Sequence, residues 1–104
     1  MSETTVLAPH IVVTPGVRGG RPYIDGKGVT VQHVAIVHEQ LGAPVSEIVE
    51  EYDLTPAEVH AALAYYYDHR EEIDARTRED EAFIREMKES EPSFLAEKLR
   101  SLRA

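Results

Sequence analysis

The chain has 104 residues, no cysteine, and 11 Lys+Arg against 19 Asp+Glu, for a formal net charge of −8. That length holds one domain and excludes a two-domain enzyme. The lack of cysteine excludes disulfide scaffolds, thiol nucleophiles and Cys-based zinc sites, and suits a reducing compartment. At 42% apolar content the chain can build a modest core, burying roughly 60–65% of its unfolded surface. Residues 1–9 lack the basic flank and apolar stretch of a signal peptide, and no apolar run approaches the ~20 residues of a membrane helix. The expected location is cytoplasmic, away from membranes.

The charge is unevenly spread. Up to Pro44 the cations Arg18, Arg21 and Lys27 balance Glu3, Asp25 and Glu39, so all the net acidity lies downstream. A general attraction to nucleic acid is therefore not available to the whole chain, and any such contact must come from local basic points.

In chain order, residues 1–9 read as a flexible N-terminus. From His10 to Val31, β-branched clusters alternate with Pro15-Gly16, Gly19-Gly20 and Asp25-Gly26, which predicts short strands at Ile11–Val13 and Tyr23–Ile24 with room for a third at 28–30. So few strands need a covering helix layer or a second subunit. Past Thr30 the period changes: Val34, Val37 and Leu41 recur at helical spacing, Thr30 is an N-cap candidate and Gly42 a stop. Pro44 can open a second helix whose face is Val45, Ile48, Val49 and Tyr52, ending near Asp53, after which Leu54 turns inward. Thr55-Pro56-Ala57-Glu58 combines a capping hydroxyl, a proline and a glutamate at capping-box spacing. Val59, Ala62, Leu63 and Tyr66 make the buried stripe of the third helix, expected to run to about Asp74. Helices of about 11, 8 and 18 residues with a short second connection match a helix-turn-helix spacing.

Residues 76–104 read as a separate helical tail. A solvated charge run leads to Phe83, Ile84 and Met87, then to Ser90-Glu91-Pro92-Ser93, then to Phe94, Leu95, Leu99 and Leu102, in two short amphipathic pieces. Burying the last four apolar side chains contributes roughly 6–12 kcal/mol, and fixing the backbone that carries them costs about 10–20. The tail needs a surface to lie on.

The stretch Gly20-Arg21-Pro22-Tyr23-Ile24-Asp25-Gly26, then Val29-Thr30-Val31, Leu41-Gly42, Ser46-Glu47-Ile48 and Leu54-Thr55-Pro56-Ala57-Glu58-Val59-His60-Ala61-Ala62-Leu63, resembles the domain-of-unknown-function family four-three-three, whose members are similar to VapB-type antitoxins. The resemblance covers residues 10–75. It implies a mainly α fold: a homeodomain-like three-helix helix-turn-helix with a short N-terminal β extension, usually dimeric. It also implies pairing with a toxin resembling PIN-type ribonucleases, and binding to operator DNA. Where the family usually carries a basic Arg-Gly-Thr-Arg-like loop, this chain has Asp25-Gly26-Lys27-Gly28. Its third helix opens without the Arg, Lys, Asn or Gln that read base edges.

Candidate DNA contacts are Arg18, Arg21 and Lys27, all in glycine-flanked turns, with Thr55 and His60 at the start of the third helix. No Lys-Ser or Lys-Thr helix start follows the glycines, which argues against a nucleotide loop. His33 and His38, and His60 and His69, lack the i, i+4 spacing that aligns two metal ligands, so no metal and no cofactor is expected. No paired carboxylate or nucleophile motif points to catalysis, and the chain is expected not to be an enzyme. One helix cannot bury all of Tyr65-Tyr66-Tyr67, which makes Tyr65 and Tyr67 candidates for a homodimer interface. In the tail, Phe94, Leu95, Leu99 and Leu102 can anchor on a PIN-like toxin while Arg100 and Arg103 face its metal-binding carboxylates. The expected function is that of an antitoxin-like component of a toxin–antitoxin pair; the rival is a stand-alone helix-turn-helix regulator or adaptor with no toxin.

Overall fold

The computed structural model describes residues 3–90. It is mostly helical, with a small antiparallel sheet at the N-terminal end. Strands β1 (Thr5–Ala8), β2 (Ile11–Val13) and β3 (Tyr23–Ile24) pair in the order β1-β2-β3. Helix α1 (Val31–Ala35) continues into a π-helical turn at Ile36–Gln40, and α2 (Val45–Tyr52), α3 (Pro56–Asp68) and α4 (Arg70–Ser90) follow. The described residues divide into two units, the first ending at Arg70 and the second beginning at Glu71.

In the first unit the register sets Val6 against Val12, Ala8 against Ile11, Ile11 against Ile24 and Val12 against Tyr23. Ile11, Val12 and Ile24 are buried and meet Val31, Val34, Ala35, Ile48, Leu54, Val59, Ala62, Leu63 and Tyr66 in one core. Each large aliphatic side chain there contributes about 1.5–3 kcal/mol. Thr14 is buried beside this core, its hydroxyl bonded to those of Thr4 (2.7 Å) and Tyr23 (2.8 Å).

Strands β2 and β3 fall at the expected positions. Residues 5–8, inside the stretch read as a flexible N-terminus, instead form the edge strand β1. Its side chains are largely exposed, so no alternation of apolar and polar residues marks it, and its pairing with β2 is what defines it. At 28–30 there is only an isolated bridge between Tyr23 and Thr30, because Thr30 is already the N-cap of α1 and accepts from the His33 N–H at 3.0 Å.

The π-helical turn corrects one predicted core position. Val34 is fully buried, Val37 is half-buried, and Leu41 is 73% exposed. The turn is closed by bonds from the Leu41 N–H to the Ile36 carbonyl and from the Ala43 N–H to the Val37 carbonyl, both 3.1 Å. A π turn carries an extra residue, which rotates all that follows off the 3.6-residue stripe. The His38 Nδ1–H donates to the Ala43 carbonyl at 2.8 Å and ties this turn to the connection into α2. Helix α2 stops at Asp53 in the left-handed region (φ 53°), a conformation open to aspartate.

Helix α3 ends at Asp68, earlier than its predicted end near Asp74. His69 leaves helical geometry (φ −125°, ψ 31°), its N–H is shared between the Tyr65 and Tyr66 carbonyls, and its Nδ1–H returns to the Tyr65 carbonyl at 2.9 Å. Beyond it, one helix of 21 residues carries the charge run at 76–81 in its interior and continues through Phe83, Ile84 and Met87. Arginine, glutamate, alanine and methionine are good helix formers, and Glu72/Arg76, Asp74/Arg78 and Glu81/Arg85 stand at the supporting i, i+4 spacing.

Candidate functional site

Each of the three early cations is held by a different part of the first unit, and of the three Lys27 reaches the α2–α3 connection. Arg18 sits in the left-handed region (φ 52°) at the head of a tight turn, followed by Gly19 and Gly20 with φ of 66° and 74°. That backbone sends its guanidinium over Gly28, where an added Cβ would come within 2.7 Å of its Nη2. Arg21 is half-buried and donates from Nη1 to the Gln32 Oε1 at 2.8 Å, which satisfies the buried amide at the start of α1. The Lys27 Nζ donates to the Asp53 carbonyl at 2.9 Å, at the C-terminal end of α2 where helix carbonyls lack partners.

At the start of α3 the capping box is complete. The Thr55 N–H donates to the Glu58 Oε1 at 2.8 Å, and the Glu58 N–H donates to the Thr55 Oγ1 at 3.1 Å. The bond from the Thr55 backbone holds the Glu58 carboxyl below its ordinary range against the opposing effect of burial, with Lys27 and His10 adding in the same direction. The positive end of α3 therefore already holds an anion of its own. Because this carboxyl ionises more readily in the folded chain, its contribution is fully present above the unfolded carboxylate range, about pH 4.3, and is lost as pH falls through the folded value. Glu58→Gln keeps the acceptor and removes the charge. It should flatten the loss of stability on acidification below about pH 5, measured by urea unfolding at stepped pH.

Of the predicted DNA contacts, Arg21, Lys27 and Thr55 thus hold the fold together, while Arg18 and His60 are exposed. His60 faces a groove of about 560 Å3 between the β1–β2 turn and α3, lined by Leu7, Pro9, His60, Ala61, Ala64 and Tyr65 among others. Of the tyrosines, Tyr66 is core. Tyr65 stacks on His69 (centroids 4.0 Å apart), and Tyr67, 48% exposed, donates to Glu39 across to the π-helical turn. That bond pushes the Tyr67 hydroxyl above its ordinary range. Both candidate dimer tyrosines therefore have partners within the chain. Phe94, Leu95, Leu99, Arg100, Leu102 and Arg103 lie outside the described residues.

The feature that the sequence reading underweighted is on α4. Every side chain from 81 to 89 is exposed, among them Phe83, Ile84 and Met87 at 62%, 52% and 53%. The signal was present as apolar residues at i, i+1 and i+4, but the surrounding charges masked it. Among the described residues no three His, Asp or Glu side chains come together as a metal site, and no helix is long and apolar enough to cross a membrane.

No curated protein and no solved structure matches the chain significantly. The family model described as "Protein of unknown function (DUF433)" matches residues 11–66, from the first residue of β2 to the core tyrosine of α3. Since this is more than half of the chain and spans the core of the first unit, the protein belongs to the DUF433 family.

Proposed function

We propose that the protein is a non-catalytic, dimeric, antitoxin-like component of a toxin–antitoxin pair, acting in the cytoplasm. On this reading residues 94–103 bind and neutralise a PIN-like ribonuclease, and the first unit is a scaffold. The observation that carries the reading is the run 81–89, a solvated helical segment bearing three large exposed apolar side chains immediately before the leucine-bearing end. Soluble chains retain such surface where another molecule covers it, which supports the dimeric part of the reading and leaves the leucine-bearing residues beyond it for the toxin. The resemblance of DUF433 members to VapB-type antitoxins supplies the kind of partner, and the cations Lys98, Arg100 and Arg103 suit the carboxylates of a metal-dependent nuclease. The test is co-expression with the product of the adjacent gene. Ending the chain at Ser90 should leave the circular dichroism of the first unit unchanged and abolish co-purification; undiminished co-purification overturns the assignment.

A second reading, a homeodomain-like helix-turn-helix that binds operator DNA, is favoured by the three-residue connection Asp53-Leu54-Thr55 between α2 and α3. Against it stand the internal bonds of Arg21 and Lys27 and an α3 start that offers no base-reading side chain. If the reading holds, Arg18→Ala should weaken binding equally across DNA sequences and reduce the salt slope by about 1. An unchanged slope in a fluorescence-anisotropy titration removes Arg18 from the contact.

A further inference from the structure

The exposed stripe on α4 is self-complementary, and this identifies what covers it. At about 100° per residue, Phe83, Ile84 and Met87 share one side of the helix with Asp80. Glu81 and Lys88, seven residues apart, lie together on one flank of that stripe. Asp80, Ile84 and Met87 follow the four- and three-residue spacing of a coiled-coil seam, and Thr77, one step earlier on the same face, is already buried within the chain.

We propose that α4 pairs antiparallel with α4 of a second copy of this chain. The two-fold axis passes between Arg85 and Glu86. Ile84 then faces Met87 of the second copy, Met87 faces its Ile84, and Phe83 closes the flank. The same operation sets Glu81 beside Lys88 of the second copy and Lys88 beside its Glu81, two reciprocal ion pairs from one pair of residues, as an isologous interface requires. A parallel pair loses this exchange, because Glu81 and Lys88 then stand about 10 Å apart along the two helices. A partner of strong single-sign charge is a poorer fit than a second copy, because it cannot supply both a cation for Glu81 and an anion for Lys88. The stripe lies wholly outside residues 11–66, so family membership does not supply this interface. The inference rests on the dimeric part of the function proposed above, gives that dimer a place other than Tyr65 and Tyr67, and leaves residues 94–103 for the toxin.

The test is sedimentation equilibrium of the full chain from micromolar to millimolar concentration, with circular dichroism to confirm folding. The native chain should dimerise. Ile84→Asp should weaken the dimer at least about tenfold. E81K and K88E should each weaken it about tenfold by placing like charges together, and the double variant E81K/K88E should restore it, because the two pairs are re-formed with exchanged signs. A monomer throughout the range overturns the proposal, as does a dimer indifferent to Ile84→Asp or a double variant no tighter than either single one. The toxin reading is scored separately by co-purification. A stripe dimer that binds no toxin overturns that reading and leaves this one intact, and a toxin complex whose chain is monomeric does the reverse.

Discussion

Val59→Asp should abolish cooperative unfolding of the first unit, leaving a sloping thermal trace in place of a transition. Val59 is fully buried on the second turn of α3, the helix that packs on α1, α2, β2 and β3. A carboxylate there would be taken out of water among the apolar side chains of the core. Leaving a charge unpaired in such a site costs several kcal/mol, comparable with the 5–15 kcal/mol by which a domain of this size is stable. His60→Asp, one residue along the same helix but exposed, should change stability by less than about 0.5 kcal/mol. A normal transition for Val59→Asp would mean that the α3 face is not the centre of the core.

Ile24→Ala should destabilise the first unit by about 2–5 kcal/mol, read as a shift of the urea midpoint at constant slope. Ile24 is fully buried and stands opposite Ile11. Its backbone N–H donates to the Val29 carbonyl at 2.8 Å, and its carbonyl accepts from the Lys27 N–H at 3.1 Å. Those backbone bonds hold the 25–28 turn in place, so the truncated side chain leaves a cavity that the surroundings cannot close. The exposed edge residue Val6 offers the contrast: Val6→Ser should cost little, because its side chain is 71% exposed. Equal losses from the two substitutions would show that the sheet, and not its contact with the helices, limits stability.

What was legible in the sequence was local. Thr30 and Thr55 announce the starts of α1 and α3 because a capping hydroxyl acts on amides within three residues. Ile48, Val59, Ala62, Leu63 and Tyr66 announce the core because their spacing follows the helix period, and Leu54 because it is the one apolar residue of the connection between α2 and α3. What was not legible depends on partners distant in sequence or on an interrupted period. Strand β1 exists through its pairing with β2. Leu41 is exposed because the preceding turn is π-helical. The break at His69 comes from a side chain taking a helix carbonyl, with no glycine or proline to mark it. Among the candidate site residues, the chemistry of Arg21 and Lys27 was read correctly as cationic. Their acceptors, Gln32 and the Asp53 carbonyl, lie 11 and 26 residues away, beyond what any local pattern shows.

On the proposed function the chain meets its partner beyond α3. Hydrogen exchange on the full chain, with and without the co-expressed product of the adjacent gene, tests this most directly. Slowed exchange should be confined to residues beyond 81, with the amides of α1 and α3 unchanged. Slowing across Pro56–Asp68 with residues 81–104 unaffected would contradict it.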